Sequence, residues 1–193
     1  MKKLAIYGFG GHAREVASLI GEPCTFFVDD EYYSFGEALP ISMFNHNTHK
    51  MMVAVADSAN RKRMVESLPT NTEFFSYVHP TAIICDAQIG EGSYVGPYSI
   101  ITTNIKIGKH AIINRGNQIG HDTVAGNYLS MMPSAVIGGN AEIGDCVYFG
   151  SCSNVKEKIK ISSNVTIGMN AAIVKSIKDS GTYVGVPAKK IKP

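Results

Sequence analysis

The sequence predicts two modules, a small α/β domain followed by an all-β solenoid of parallel strands. Apolar strand segments alternate with amphipathic helix segments in residues 1–77, a pattern typical of a parallel sheet covered by helices. A period of six residues then runs through most of residues 78–193. Glycine is abundant, at 19 residues, which indicates many regularly spaced turns.

The amino-terminal module begins with a strand, a glycine turn and a helix. Strands are predicted at residues 3–7, 25–28 and 51–56, and helices at 13–20 and 60–65. The turn carries Gly8-x-Gly10-x-x-Ala13, a loose match to the dinucleotide-binding fingerprint. The free N–H groups and the dipole at the start of the helix favour a phosphate there, although packing glycines in an ordinary turn have the same pattern.

Two acids follow the second strand. Asp29 and Asp30 lie about twenty residues after the glycine turn, the spacing at which an acid can bind a ribose or a base. Solvated acids at a strand end are the alternative. Because residues 1–77 make only half of a dinucleotide fold, we expect one mononucleotide rather than NAD.

The second module is defined by apolar residues at steps of six. Sixteen positions in this register, starting at Ile83, are all apolar, and nine of them are followed by glycine. They are Ile83, Ile89, Val95, Ile101, Ile107, Ile113, Ile119, Ala125, Met131, Ile137, Ile143, Phe149, Val155, Ile161, Ile167 and Ile173. The pattern predicts a short strand and a corner per repeat, with the aliphatic residue inward and the glycine letting the chain turn.

Composition and charge exclude several classes of function. A formal net charge of +2 gives no reason to expect nucleic acid or a membrane surface as partner. The first apolar run ends at Gly8, so we expect no secretion signal, no membrane span and a cytoplasmic location. The four cysteines form no CxxC pair and have no histidine at ligand spacing, which predicts free thiols and no metal.

The repeat resembles the left-handed parallel β-helix of hexapeptide-repeat transferases, in which three repeats form one triangular coil. Residues eighteen apart would then stack, so His121 would lie one layer from Gly139. His121 is third in its repeat, which predicts an outward imidazole suited to act as general base, and Asp122 can orient it. The Gly139 N–H is a suitable donor to a thioester carbonyl as it becomes an oxyanion. A solvated corner histidine beside a turn glycine is the alternative, and surface or turn roles are expected for His79 and His110.

The two modules together resemble the two-domain nucleotide-sugar acetyltransferases, which include bacillosamine and perosamine N-acetyltransferases and sialic-acid O-acetyltransferases. The resemblance covers essentially the whole chain. The segments that carry it are Gly8-Phe9-Gly10-Gly11-His12, Phe27-Val28-Asp29-Asp30, Asp57-Ser58-Ala59-Asn60-Arg61, His79-Pro80-Thr81-Ala82, Asn114, Ile119-Gly120-His121-Asp122, Gly138-Gly139 and Gly185-Val186-Pro187-Ala188-Lys189.

This resemblance implies an acetyl-CoA-dependent N-acetyltransferase that acts on the 4-amino group of a UDP- or dTDP-linked 4-amino-4,6-dideoxy sugar. Acetyl-CoA would lie between neighbouring subunits of a homotrimer, with its thioester near Gly139. The other contacts that the resemblance implies are the phosphates at Gly10, Gly11 and His12, the base or ribose at Asp29 or Asp30, the acceptor at Asn114, and CoA at Ser151, Gly168, Met169, Pro187 and Lys189.

Two positions depart from the family pattern. Ser130 stands where relatives often carry a second histidine, and Arg115 replaces a small hydroxyl residue beside Asn114. Ser130 puts the expected acceptor and CoA contacts near it in doubt, and Arg115 could alter which sugar is accepted. Three alternatives stay open: a GDP-perosamine acceptor, O-acetylation of sialic acid or another sugar hydroxyl, and a non-catalytic nucleotide-sugar-binding scaffold.

Overall fold

The structure is a computed structural model that describes residues 2–34 and 36–191. Residues 1, 35, 192 and 193, which belong to the two predicted domains, lie outside the described residues. A four-stranded parallel sheet forms the first module, in which the first strand pairs with the second and the fourth, and the second strand also pairs with the third. Its strands are β1 Lys3–Tyr7, β2 Cys24–Val28, β3 Ala38–Pro40 and β4 His49–Val53, and its helices are α1 Gly11–Ile20 and α2 Ser58–Glu66. Short 3₁₀ segments span Asp30–Tyr32 and Ile41–Met43.

The predicted alternation of strands and helices is confirmed, with two differences. The strand Ala38–Pro40 was not predicted, because three residues ending in proline give too little apolar pattern. The last strand runs from His49 to Val53 rather than over residues 51–56, since the chain leaves the sheet before α2. Asp57 caps that helix by accepting a hydrogen bond from the Asn60 N–H at 2.8 Å.

The second module is a left-handed parallel β-helix with three walls, which confirms the predicted fold class. Wall 1 contains Tyr77–Val78, Tyr94–Val95, Ile112–Ile113, Ser130–Met131, Tyr148–Phe149, Val165–Ile167, Gly181–Val184 and Lys189–Lys190. Wall 2 contains Ile83–Ile84, Ile100–Ile101, Gln118–Ile119, Val136–Ile137, Asn154–Val155 and Ala172–Ile173. Wall 3 contains Ala87–Ile89, Ile105–Ile107, Val124–Ala125, Glu142–Ile143 and Lys160–Ile161.

Successive coils stack in register, and the predicted spacing of eighteen is confirmed. Pairings such as Gln118 with Val136, one coil later, recur on all three walls. The two ends of the stack are exceptions, because Ile84 pairs with Ile101, seventeen residues away, and Thr166 pairs with Thr182, sixteen residues away. The inward role predicted for Ile83 is therefore wrong: its side chain is 56% exposed, and Ile84 packs against the core instead.

The corners show why glycine follows the inward residues. A Cβ on Gly138 would lie 2.6 Å from the Glu157 backbone nitrogen, in the coil above, so a side chain has no room there. The expectation that these glycines let the chain turn is wrong. The left-handed backbone of each turn belongs instead to residues such as Asp122, at φ 58°, and Asn140, also at φ 58°.

The first module lies on the outer face of wall 1. Tyr94 and Ile112 point outward from that wall and pack with Ile6, Val16 and Met52 of the α/β module. The two modules therefore share a buried apolar boundary. Among residues 2–34 and 36–191, no helix has the length and apolar character needed to cross a bilayer.

We expect Gly108→Ala to destabilise the β-helix by about 1–3 kcal/mol, because the new methyl group would overpack against the next coil. It would lie 2.6 Å from the backbone nitrogen of Asn127. Denaturant unfolding measures the change. Gly36→Ala is the control, since the nearest atom would be 3.5 Å away. Equal stability of the two variants would contradict the stacking explanation.

Candidate active site

The corner that joins wall 2 to wall 3, called corner 2/3, places His121 beside Asp122. His121 Nδ1 and Asp122 Oδ2 are 2.7 Å apart, and Asn104 Nδ2 donates to Asp122 Oδ1 at 2.7 Å. Asn104 occupies the equivalent turn position one coil earlier. The repeat therefore builds a support beneath the carboxylate that orients the imidazole.

These contacts also assign the proton on the His121 ring. The hydrogen bonds from His121 and Asn104 hold the pKa of Asp122 below its usual range, so this side chain is an ionised acceptor at neutral pH. Because a carboxylate only accepts, Nδ1 of His121 carries the hydrogen and Nε2 carries the lone pair. The side chain is 63% exposed, so Nε2 can meet a substrate.

Gly139 lies directly against the ring of His121. A Cβ on Gly139 would be 2.8 Å from His121 Nε2, so any side chain there would collide with the imidazole. The Gly139 N–H makes no hydrogen bond within the described part of the chain. Gly120 leaves that amide uncovered, because a Cβ there would lie 2.6 Å from the Gly139 nitrogen. A lone-pair nitrogen and an unpaired amide therefore share one corner.

A groove continues from this corner along wall 3. Its volume is about 860 Å³, and Asp122, Val124 and Asn140 line it close to His121. Lys160 and Lys178 line the same groove. Glu142 also lines it and pairs with Lys160 at 2.8 Å, so with Asp122 the groove carries charges of both signs.

The structure does not bring every predicted site residue together within one chain. Asn114, Ser151, Gly168 and Met169 lie at the corner that joins wall 1 to wall 2, called corner 1/2. His121 lies at the other end of wall 2. Met169 is 72% exposed there, whereas the Asn114 side chain is buried and its Oδ1 accepts from the Arg115 N–H at 2.8 Å.

The carboxyl-terminal segment closes the last coil. Pro187 and Lys189 line a small cavity of about 270 Å³ with Val174 and Tyr183. The Ala188 N–H donates to the Ala172 carbonyl at 2.9 Å, which attaches the segment to wall 2. Both predicted CoA contacts in this segment therefore lie at the end of the coil stack, beside the end of wall 2.

The predicted phosphate site lies at the start of α1. A Cβ on Gly10 or Gly11 would meet no atom within 4 Å, so the space beside this turn is open. Burial lowers the pKa of His12, and its Nε2 is buried without a hydrogen-bond partner. Its ring packs edge-on against Tyr94 of wall 1 at 5.7 Å. The backbone amides and a neutral imidazole are therefore grouped at the boundary between the modules.

The two predicted acids have different environments. Asp29 accepts a hydrogen bond from the Tyr7 hydroxyl and forms an ion pair with Arg63 at 2.9 Å. Burial alone would raise the pKa of Asp29, but these two donors outweigh burial and hold it below its usual value. Asp30 is exposed and accepts from the Ser42 N–H at 3.0 Å. Asp29 and Arg63 also border a cavity of about 260 Å³ beside Gly8.

Sequence reasoning missed Arg61 and misjudged the surroundings of Ser130. Arg61 is fully buried and donates to Ser130 Oγ at 2.8 Å, so Ser130 joins the modules and is not open to an acceptor or to CoA. A signal was present, because the buried residues of α2 are Ser58, Arg61 and Met64 at a spacing of three. That spacing places the arginine on the packed face of the helix.

Arg115 and His110 also differ from expectation. Arg115 pairs with Glu15 of α1 at 2.9 Å, so it reaches the module boundary. His110 is buried between Phe74 and Tyr128, and the surface role expected for it is wrong. Burial lowers its pKa to about 4. No group of three or more His, Cys, Asp or Glu side chains suited to a metal occurs in the described ranges.

Comparison with known proteins identifies both modules. Residues 3–68 match the PglD N-terminal domain, and residues 86–121 match the bacterial transferase hexapeptide (six repeats). The GDP-perosamine N-acetyltransferase of Escherichia coli O157:H7 is 27% identical over 177 residues, which is 82% of this chain and 80% of that protein.

Two solved structures match over nearly the whole length. WeeI from Acinetobacter baumannii AYE has a TM-score of 0.90 at 27% identity, covering 99% of this chain and 100% of that one. The acetyltransferase domain of PglB from Neisseria gonorrhoeae FA1090 has a TM-score of 0.88 at 26% identity, with coverage of 99% and 100%. The chain therefore combines a PglD-type amino-terminal domain with a bacterial transferase hexapeptide domain. Both of these relatives with a described activity are acetyltransferases.

Buried His110 predicts a loss of stability in acid. Its folded pKa of about 4 lies below the ordinary value of 6.5, so its contribution is complete above pH 6.5 and is lost as pH falls towards 4. Denaturant unfolding from pH 7 to 5 should show a shallower decline for His110→Phe than for wild type. His79→Gln is the control, because His79 is only half-buried. Parallel curves for wild type and His110→Phe would contradict the assignment.

Proposed function

We propose that this protein transfers the acetyl group of acetyl-CoA to the 4-amino group of a UDP- or dTDP-linked 4-amino-4,6-dideoxy sugar, with His121 as general base. The observation that carries this proposal is the pairing of the His121 lone pair with the unpaired Gly139 N–H at one corner. An amine acceptor needs only to lose one proton during attack, so one base and one oxyanion donor are sufficient.

The base acts through a single nitrogen. The neutral amine of the sugar attacks the thioester carbonyl, a C–N bond forms, and His121 Nε2 takes the proton that the nitrogen must lose. Asp122 stabilises the resulting imidazolium through Nδ1. The C–S bond then breaks, and the proton on Nε2 can pass to the departing sulfur to give the CoA thiol. The ring is thereby returned to its starting tautomer.

The Gly139 amide serves the other half of the step. As the carbonyl becomes tetrahedral its oxygen gains charge, and a fixed backbone N–H stabilises that charge without reorganisation. The amide has no competing partner among the described residues. Gly120 and Gly139 both lack the side chain that would cover it or displace the imidazole.

A homotrimer accounts for the separation of the two groups of predicted contacts. Corner 2/3 holds the base, whereas Asn114, Ser151, Gly168 and Met169 lie at corner 1/2, across wall 2. Three copies around a threefold axis parallel to the long axis of the β-helix would set corner 1/2 of one copy against corner 2/3 of the next. CoA would then lie between copies, with Pro187 and Lys189 at the end of its path and the groove along wall 3 beside it.

The nucleotide would occupy the first module. The open turn at Gly10 and Gly11, together with His12, offers backbone donors and a neutral ring to the diphosphate. Asp29 and Arg63 place an acceptor and a donor side by side at the neighbouring cavity, where a ribose or a base can use both. Acetyl transfer to GDP-perosamine is the second candidate, because the similar protein of E. coli O157:H7 is a GDP-perosamine N-acetyltransferase.

Removing the base should abolish transfer while CoA binding persists. We expect His121→Ala to lower kcat by about 10²–10⁴-fold, measured by thiol release, because proton removal is lost. Asp122→Asn should also lower kcat, because an amide can donate to Nδ1 and favour the tautomer that lacks a lone pair on Nε2.

The matched control is Asp145→Asn, which makes the same change at an exposed corner on the opposite side of wall 3. Its kcat and pH profile should equal those of wild type. Calorimetric titration with CoA shows whether each variant retains the cofactor site. Equal thiol release by wild type and His121→Ala would refute the proposed base.

The acceptor can be identified with a panel of sugars linked to UDP, dTDP and GDP, each as the 4-amine and as the 4-hydroxyl. Ligands that bind the native state raise the apparent melting temperature, so thermal shift ranks them with and without acetyl-CoA. We expect transfer to the UDP- or dTDP-linked amine, detected as an N-acetyl product. Transfer to GDP-perosamine alone would select the second candidate, and transfer only to hydroxyls, sialic acid included, would overturn N-acetylation.

A further inference from the structure

Arg61 is the largest fully buried side chain among the described residues, and its guanidinium makes no ion pair there. It lies between the two modules. Burying an unpaired cation is costly unless hydrogen bonds replace its water, so its partners show what the arginine holds in place.

The first set of partners lies in the loop between β4 and α2. Arg61 Nη1 donates to the carbonyl of Val55 at 2.6 Å and to that of Ala56 at 3.2 Å. This loop borders the cavity that Asp29 and Arg63 line. It also packs on the glycine turn, since a Cβ on Gly8 would lie 3.2 Å from Val55 Cγ2. Arg61 therefore fixes one side of the proposed nucleotide pocket.

The second set of partners lies in the β-helix. Arg61 Nε donates to the His110 carbonyl at 2.8 Å, and Nη2 donates to the carbonyls of Tyr128 and Leu129 at 2.8 and 3.0 Å. His110 and Tyr128 occupy equivalent turn positions one coil apart. The coil between them contains Asn114 and His121. One guanidinium thus donates hydrogen bonds to both ends of the coil that carries the proposed base.

Ser130 completes the connection. Its Oγ accepts from Arg61 Nη2 at 2.8 Å and donates to the Ala56 carbonyl at 2.7 Å, while Ser58 Oγ donates to it at 2.9 Å. The serine lies on wall 1 and is fully buried. It therefore supplies a hydroxyl that reaches both the arginine and the β4–α2 loop.

We propose that Arg61, with Ser130, is a positioning residue that fixes the nucleotide pocket relative to the coil of His121. The proposal rests on the proposed function for its kinetic consequence. The arginine touches neither substrate nor reacting atoms, and acts by holding the sugar amine in line with the base. Small displacements of bound reactants reduce rates strongly, by as much as about 10²-fold for 1 Å.

The test uses Arg61→Lys, which keeps the charge but loses the planar fork, and Ser130→Ala, which removes one hydroxyl. We expect kcat/KM for the nucleotide sugar to fall by about tenfold or more in each, as misplacement would cause. The dissociation constant of CoA should be unchanged, because the β-helix itself is intact. Ser153→Ala is the control for Ser130→Ala: it is also fully buried, and its hydroxyl has no partner within the described residues.

A second readout does not depend on catalysis. Amide hydrogen exchange should increase at residues 55–61 in both variants and not in the repeats far from wall 1. A lower melting temperature with unchanged kinetics and unchanged exchange in the loop would overturn the positioning role, as would equal loss of both ligands. If wild-type protein acetylates no nucleotide sugar, the proposed function fails, and the exchange pattern still decides whether Arg61 holds the loop.

Discussion

The rest of the structure depends on the direct stacking of coils eighteen residues apart. Parallel strands can lie at hydrogen-bonding distance on three walls only if the backbone at the corners comes equally close. Glycine at Gly108, Gly120 and Gly138 satisfies that constraint, since a Cβ at each would collide with the coil above. The same stacking places His121 against Gly139. The proposed catalytic pair is therefore a consequence of the repeat.

The first module is useful only if its position relative to that stack is fixed. Ile6, Val16, Tyr94 and Ile112 form a buried apolar boundary between the modules, but such contacts are not directional. Arg61 adds direction, because each of its hydrogen bonds requires a particular carbonyl at a particular place. Burial lowers its pKa only to about 10, so it remains charged at neutral pH and its donors stay in use.

The features predictable from sequence were those that follow from period and local pattern. The step of six predicted the strands and corners, and the resemblance to a three-walled β-helix added the step of eighteen and the contact between His121 and Gly139. The role of Arg61 was not predictable, because all of its partners except Ser130 Oγ are backbone carbonyls, which leave no mark in the sequence. The inward position predicted for Ile83 was wrong for a similar reason. A corner of the first coil is one residue short, which shifts the register without changing the apolar pattern. The partners of Asp29 required a fold to bring Tyr7 and Arg63 together.

The most direct test of the shared corner is a crystal structure with CoA and a nucleotide sugar bound to the His121→Asn variant. Our account predicts the sugar amine about 3 Å from the side chain at position 121, within hydrogen-bond reach. It also places the CoA sulfur beside the Gly139 N–H, with both ligands bound in one cleft between neighbouring copies. An amine and a sulfur bound at different walls, with no common cleft at corner 2/3, would contradict it.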